Sequence, residues 1–145
     1  MEVLARAQPK DREEIAALLT RAGLAHEDVP AVGHVVVARH GGRIVGVIGL
    51  EVHGRDGLVR SLAVAPDHRG RGLARRLYAS LLAEAGRLGL ARLFVLPPRA
   101  VAWFALLGYR AIASDAVPEA LRDSPGFRAM SDRGGRPLFR PMPRA

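Results

Sequence analysis

The 145-residue chain has no cysteine, a single lysine (Lys10) and only 5% aromatic residues. The missing cysteines exclude disulfides, thiolate metal sites, iron–sulfur clusters and a catalytic thiol together. Few aromatics leave little stacking surface for nucleic acid bases, so no nucleic-acid partner is expected. Long apolar runs are also missing: Val35-Val36-Val37-Ala38 falls far short of the ~20 residues of a membrane span, and no membrane association is expected. Met1 to Gln8 alternates charged and apolar residues and lacks the basic start and apolar core of a secretory signal, which makes the cytoplasm the expected address.

With 49% hydrophobic and 25% charged residues, the chain has the composition of one globular domain spanning residues 1–145. Its expected core is 1–112, followed by a weaker segment, 113–145. The formal charge is +8, and the basic side is almost entirely arginine. That excess reflects either the composition of a GC-rich genome or an anion site on which arginines converge.

Hydropathy periods give the order of elements. Met1 to Arg6 reads as a strand. Asp11 and Glu14 resemble a capping pair, and Ile15, Leu18, Leu19 and Ala22 form one helical stripe before Gly23. His34–Arg39 and Arg43–Val52 are strands joined by His40-Gly41-Gly42. Gly54-Arg55-Asp56-Gly57 leads into a third strand, Leu58–Val64. Leu73, Ala74, Leu77, Tyr78, Leu81, Leu82, Ala85 and Leu88 then line one face of a long helix ended by Gly89. Arg92–Leu96 is a strand, parallel to its predecessor by the crossover rule, and Ala100–Leu107 is helical. Ala116–Arg122 is a candidate short helix and Arg136–Phe139 a last strand. Arg133-Gly134-Gly135-Arg136 and the stretch Pro137–Pro143 read as poorly ordered or loosely attached.

Chemistry concentrates in Arg69-Gly70-Arg71-Gly72-Leu73-Ala74, where a strand and a glycine-rich loop open the long helix. Glycines let successive N–H groups turn into one concavity, and the helix N-terminus adds partial positive charge, a combination that binds phosphate. Arg69, Arg71, Arg75 and Arg76 surround it. It is not a Walker loop, which needs Gly-Lys-Ser/Thr. It is not a Rossmann fingerprint either, because Arg75 stands where the third glycine or alanine belongs.

This hexapeptide resembles the Arg/Gln-x-x-Gly-x-Gly/Ala signature of the GNAT superfamily of acetyl-CoA-dependent N-acetyltransferases. Leu62-Ala63-Val64-Ala65-Pro66 and Trp103-Phe104-Ala105-Leu106-Leu107-Gly108-Tyr109 match further segments of that family, so the resemblance runs over about Met1 to Arg110. Gly49-Leu50-Glu51, the stretch Leu58–Pro66, Val117–Arg122 and Phe127-Arg128 resemble, more narrowly, the small acetyltransferases of arsenic-resistance gene clusters. The resemblance implies an α/β (α+β) fold: a mixed, mostly antiparallel sheet with helices on both faces and a splayed parallel strand pair. It implies acetyl-CoA as cosubstrate, no metal, a small-molecule amine as acceptor and direct acetyl transfer, with a homodimer as one arrangement of the chain.

Carried onto these positions, the family implies that backbone amides from Arg71 to Arg75 hold the pyrophosphate and that Leu62, Ala63 and Val64 pair with pantetheine. Arg69, Gly70, Gly72, Leu73 and Ala74 complete the coenzyme set. Val64 N–H is the candidate oxyanion contact. Glu51 is the candidate general base, or else a solvated acid at a strand end. His53 and His68 are expected to be exposed in loops. Arg60, Ser61 and Phe104 are the acceptor-binding candidates, with Arg60 either recognising an anion, paired internally to Glu51 or Asp56, or facing outward on a packed stem. Phe104 occupies the position of the family's acid tyrosine and has no proton to give, while Tyr78 and Tyr109 are expected to be packed. The alternative is therefore a catalytically weak coenzyme A-binding sensor or scaffold.

Overall fold

A computed structural model describes residues 1–24 and 34–143. Seven strands form one sheet in the order β1-β2-β3-β4-β5-β7-β6: β1 Val3–Arg6, β2 His34–His40, β3 Arg43–His53, β4 Asp56–Val64, β5 Arg92–Val95, β6 Arg110–Ala111 and β7 Leu138–Pro141. The helices are α1 Arg12–Arg21, α2 Leu73–Arg87, α3 Val101–Leu106, α4 Glu119–Arg122 and α5 Pro125–Asp132. No helix among the described residues is long and apolar enough to cross a membrane. Among the described residues the single parallel contact is β4 with β5; the other neighbours are antiparallel.

The β2–β3 hairpin turns through Gly41 and Gly42, at φ +59° and +81°, the left-handed pair that matches strand twist. The next turn is shorter than its four-residue motif suggests. Gly54 and Arg55 make it alone, and Asp56 and Gly57 already pair with His53 and Val52. Gly57 is a packing glycine: a Cβ there would come within 2.8–2.9 Å of Leu50, Leu90 and Leu93.

Asp11 and Glu14 do not form the expected cap. The Asp11 carboxylate accepts from Gln8 N–H at 2.8 Å and from Arg39 at 2.7 Å, and Glu14 accepts from Ile44 N–H at 2.7 Å. The two acids fasten α1 to the hairpin instead. Burial pushes the Asp11 carboxyl up, but the Gln8 amide and the Arg39 guanidinium outweigh it and hold it below the usual range.

The apolar face of α2 (Leu73, Leu77, Tyr78, Leu81 and Ala85) is buried on one side of the sheet, so close that a Cβ on Gly46 would lie 2.9 Å from Leu77. On the other side Leu121 of α4 and Phe127 of α5 pack with Leu58, Phe94, Leu96 and Val117. Helix α5 has no counterpart in the hydropathy reading. Its start is nevertheless written in Ser124-Pro125: Ser124 Oγ accepts from Phe127 N–H at 3.2 Å, and proline occupies the first turn. The expectation of a loose tail is overturned as well. Strand β7 inserts between β5 and β6, and Gly135 is packed so tightly on the Leu96 and Met130 carbonyls that no Cβ fits.

Candidate functional site

Between β4 and α2 the chain makes a short 3-10 turn, Pro66–His68, and then the glycine loop. Gly70 and Gly72 have φ +78° and +76°, and a Cβ on either would meet nothing within 4 Å. Their glycine requirement is conformational, not steric. Gly72 caps α2 without a side-chain bond, so the first N–H groups of that helix point out of its end at its positive pole.

The four arginines do not act alike. Arg69 donates to the Val64 carbonyl at 3.1 Å and, like Arg75, lines the cleft described below. Arg71 and Arg76 turn the other way, to the Glu2 carboxylate, at 3.7 and 3.2 Å. Glu2 is held below the usual carboxylate range by its own backbone N–H first, and also by the His68, Arg71 and Arg76 charges. His68 is buried, not exposed as expected, with Nδ1 3.2 Å from Asp67. Hydrogen bonds from Arg43 and His68 bring the Asp67 carboxyl down to about 2. Glu2, His40 and His68 offer ligand atoms within 4.8 Å of one another, but the guanidiniums of Arg71 and Arg76 already occupy Glu2 and oppose a cation there.

The loop opens onto a gap in the sheet. β4 pairs with β5 only through Asp56, Gly57 and Leu58, and beyond Leu58 the two strands part. Within the same stretch β4 carries a bulge. Gly49 faces Arg60 and Val47 faces Ala63, which leaves Ser61 and Leu62 together opposite Ile48, with Ser61 at φ +62°.

This bulge decides where the amides point. The two-residue turn makes His53 and Asp56 a hydrogen-bonded pair, so Asp56, Leu58 and Arg60 direct their N–H and C=O groups at β3. Past the bulge the phase has moved by one. Ala65 N–H reaches the Val45 carbonyl at 2.8 Å, and Ala63 likewise pairs inward with Val47. Leu62 and Val64 are thereby turned into the gap. Without the extra residue, Val64 N–H would be tied to β3.

The resulting cleft has a volume of about 920 Å³. One end is Arg69, Gly70, Gly72, Leu73, Ala74 and Arg75; the middle is β4 from Val59 to Val64; Leu96 and Trp103 line it as well. The far end combines Arg21 to Leu24 at the close of α1, Arg99 after β5, and Met130 and Arg133 from the α5 region. Arg99 and Arg133 donate to the carbonyls of Ala22 and Gly23, at 3.4 and 2.9 Å, and so join these segments into one wall. Six arginines and no carboxylate stand among the described lining residues. Arg21, Arg99 and Arg133 escaped the sequence reading because only folding brings them together. The helix-ending Arg21-Ala22-Gly23 was the one local hint.

Arg71, Glu51 and Phe104 are absent from this lining. Phe104 is 4% exposed and packs edge-on against Trp103 and Tyr109. Tyr109 and Tyr78 are buried as expected, their hydroxyls 2.9 Å apart, and burial together with Tyr78 pushes the Tyr109 phenol well above its usual value. Glu51 lies under α5, with one carboxylate oxygen 2.6 Å from His53 Nε2 and the other 3.4 Å from Arg60. Arg60 and Ser61 do line the cleft, and Arg60 is 2% exposed. The internal Arg60–Glu51 pair is thus the alternative observed. His53, half-buried in that pair's company, is not the exposed loop histidine expected.

The family model for acetyltransferases of the GNAT family matches residues 2–109. The chain is 36% identical over 93 residues to the amino-acid acetyltransferase of Ralstonia nicotianae, covering 63% of this chain and 21% of that protein. It is 31% identical over 88 residues to that of Neisseria meningitidis serogroup A, covering 59% and 20%. The chain therefore spans about a fifth of the length of these curated relatives. Among solved structures, N-acetylglutamate synthase from Neisseria gonorrhoeae complexed with coenzyme A and N-acetyl-glutamate superposes with a TM-score of 0.85 at 26% identity, over 99% of this chain and 36% of that one. Rv2747 from Mycobacterium tuberculosis, in complex with CoA and NLQ, gives 0.79 at 25% identity over 94% and 97%.

Proposed function

The chain belongs to the acetyltransferase (GNAT) family, and from that premise we propose that it transfers an acetyl group from acetyl-CoA directly to the amine of a small, amino acid-like acceptor. The observation that carries this reading is the gap beside β4, into which Val64 N–H is turned next to a glycine loop at a helix N-terminus. The α2 amides, with Arg69 and Arg75, suit a pyrophosphate. Leu62 offers backbone to pantetheine in the manner of an added strand.

The acceptor nitrogen attacks the thioester carbonyl carbon, and Val64 N–H stabilises the oxyanion that forms. The C–S bond then breaks, the amide forms, the ammonium proton passes to water in the open cleft, and the thiolate is protonated by solvent. Phe104 offers no proton, and the Tyr109 hydroxyl is spent on Tyr78 in the interior. Arg21, Arg99 and Arg133 favour an acceptor with a carboxylate. The names of the amino-acid acetyltransferase relatives support the same acceptor class.

The test is calorimetric titration with acetyl-CoA, followed by thiol release over a panel of amino acids and simple amines. Saturable binding and release with carboxylate-bearing amines are expected; absence of coenzyme binding would overturn the reading. The buried tyrosines favour one second reading, a coenzyme sensor, which predicts binding without turnover on any amine.

A further inference from the structure

Glu51 has the chemistry of a proton acceptor but not the position. Both its oxygens are engaged, by His53 and Arg60, and it does not line the cleft. We propose that Glu51 is a positioning residue: its ion pair with Arg60, sealed by Gly126 of α5, holds the Ser61 bulge and thereby aims Val64 N–H at the reacting carbonyl. This rests on reading the cleft as a thioester site.

Arg60 is buried at the last residue before the bulge, and a buried guanidinium requires a compensating charge. Glu51 supplies it at 3.4 Å, from β3 across the ladder. Arg60 Nε also donates to Ser61 Oγ at 3.3 Å, gripping the residue whose backbone is in the left-handed region. A serine there is strained and persists only where its surroundings over-determine it. Gly126 completes the clamp, since a Cβ on it would overlap both Arg60 Nη1 and Glu51 Oε2. If the clamp slackens, the bulge can relax. The ladder then regains its original phase, and Val64 N–H turns back to β3.

Three readouts on Glu51→Gln and Gly126→Ala decide the matter: steady-state kinetics, the pH dependence of kcat/KM, and amide chemical shifts on adding acetyl-CoA. Both variants should lose kcat by about 100–1000-fold, the order seen when an oxyanion donor is removed. Their acetyl-CoA affinity should fall far less, by under about tenfold, because the glycine loop is untouched and only the Leu62 contact to pantetheine turns away with Val64. The acidic limb of the pH profile should keep its midpoint. In the wild type the coenzyme should shift the amides of Gly70, Gly72 and Val64; in Gly126→Ala the two glycines should still shift and Val64 should not. Loss of the acidic limb in Glu51→Gln, with normal turnover by Gly126→Ala, would make Glu51 the base and overturn the proposal. An unchanged Val64 shift in Gly126→Ala would overturn it too, and needs no activity and no folded Glu51→Gln. If the wild-type glycines fail to shift, the coenzyme reading itself has failed.

Discussion

The two ends of the cleft are built in opposite ways. The glycine-loop end comes from one short run of chain, Arg69 to Arg75 without Arg71, shaped by two left-handed glycines and a helix start. The far end is assembled from three separate segments: α1, the turn after β5 and the end of α5 each contribute an arginine, two of them fastened to helix-end carbonyls. Backbone groups serve a ligand that varies little, while side chains from separate segments can be exchanged without disturbing them. The proposed function accordingly gives the fixed cosubstrate the first end and the acceptor the second.

Substitutions can separate the two ends. The largest effect is expected from Gly72→Val. The space is open, so the cost is the ~1–2 kcal/mol of a left-handed β-branched residue, and acetyl-CoA affinity should fall about tenfold or more with acceptor KM little changed. Arg133→Ala should do the reverse, raising the KM of carboxylate-bearing acceptors about tenfold and leaving coenzyme affinity alone. If both parameters move together in either variant, the two ends are one site. A finer contrast lies within the loop. Arg75→Ala should weaken coenzyme binding about fivefold, and Arg71→Ala, whose guanidinium is turned to Glu2, by less than about twofold. Calorimetry on the pair checks this.

The smallest effect concerns the anchor of α1, which forms the far wall. Asp11 titrates below its ordinary value in the folded protein, so the unfolded chain binds its proton more readily. Its contribution is complete above about pH 4, the unfolded carboxylate range, and is lost as pH falls through the lower folded value. Asp11→Asn should cost about 1 kcal/mol near neutrality and flatten the decline of Tm below about pH 4. An unaltered acid slope would show that the Gln8 and Arg39 bonds do not carry it.

Much of the fold was legible because its signals are local. Gly41-Gly42 and the apolar stripe of α2 announce a turn and a helix whatever surrounds them. Gly57 misled because a glycine that makes room for Leu50, Leu90 and Leu93 is spelled like a glycine that turns the chain. Asp11 and Glu14 have the spacing of a cap, yet their partners Arg39 and Ile44 lie about 30 residues away. The C-terminal segment looked loose because its strand is short and proline-flanked, and its order comes from the slot between β5 and β6.

By itself the sequence determined the glycine-loop end: a run of glycines and arginines before an amphipathic helix, in which chain neighbours are also spatial neighbours. The tertiary structure alone decided which arginines face the cleft, that Glu51 is committed to Arg60, and that one extra residue at Ser61 turns Val64 N–H outward. Those outcomes depend on pairing register and on partners distant in the chain, and the identity of a residue carries no information about which neighbour will neutralise its charge or take its hydrogen bond.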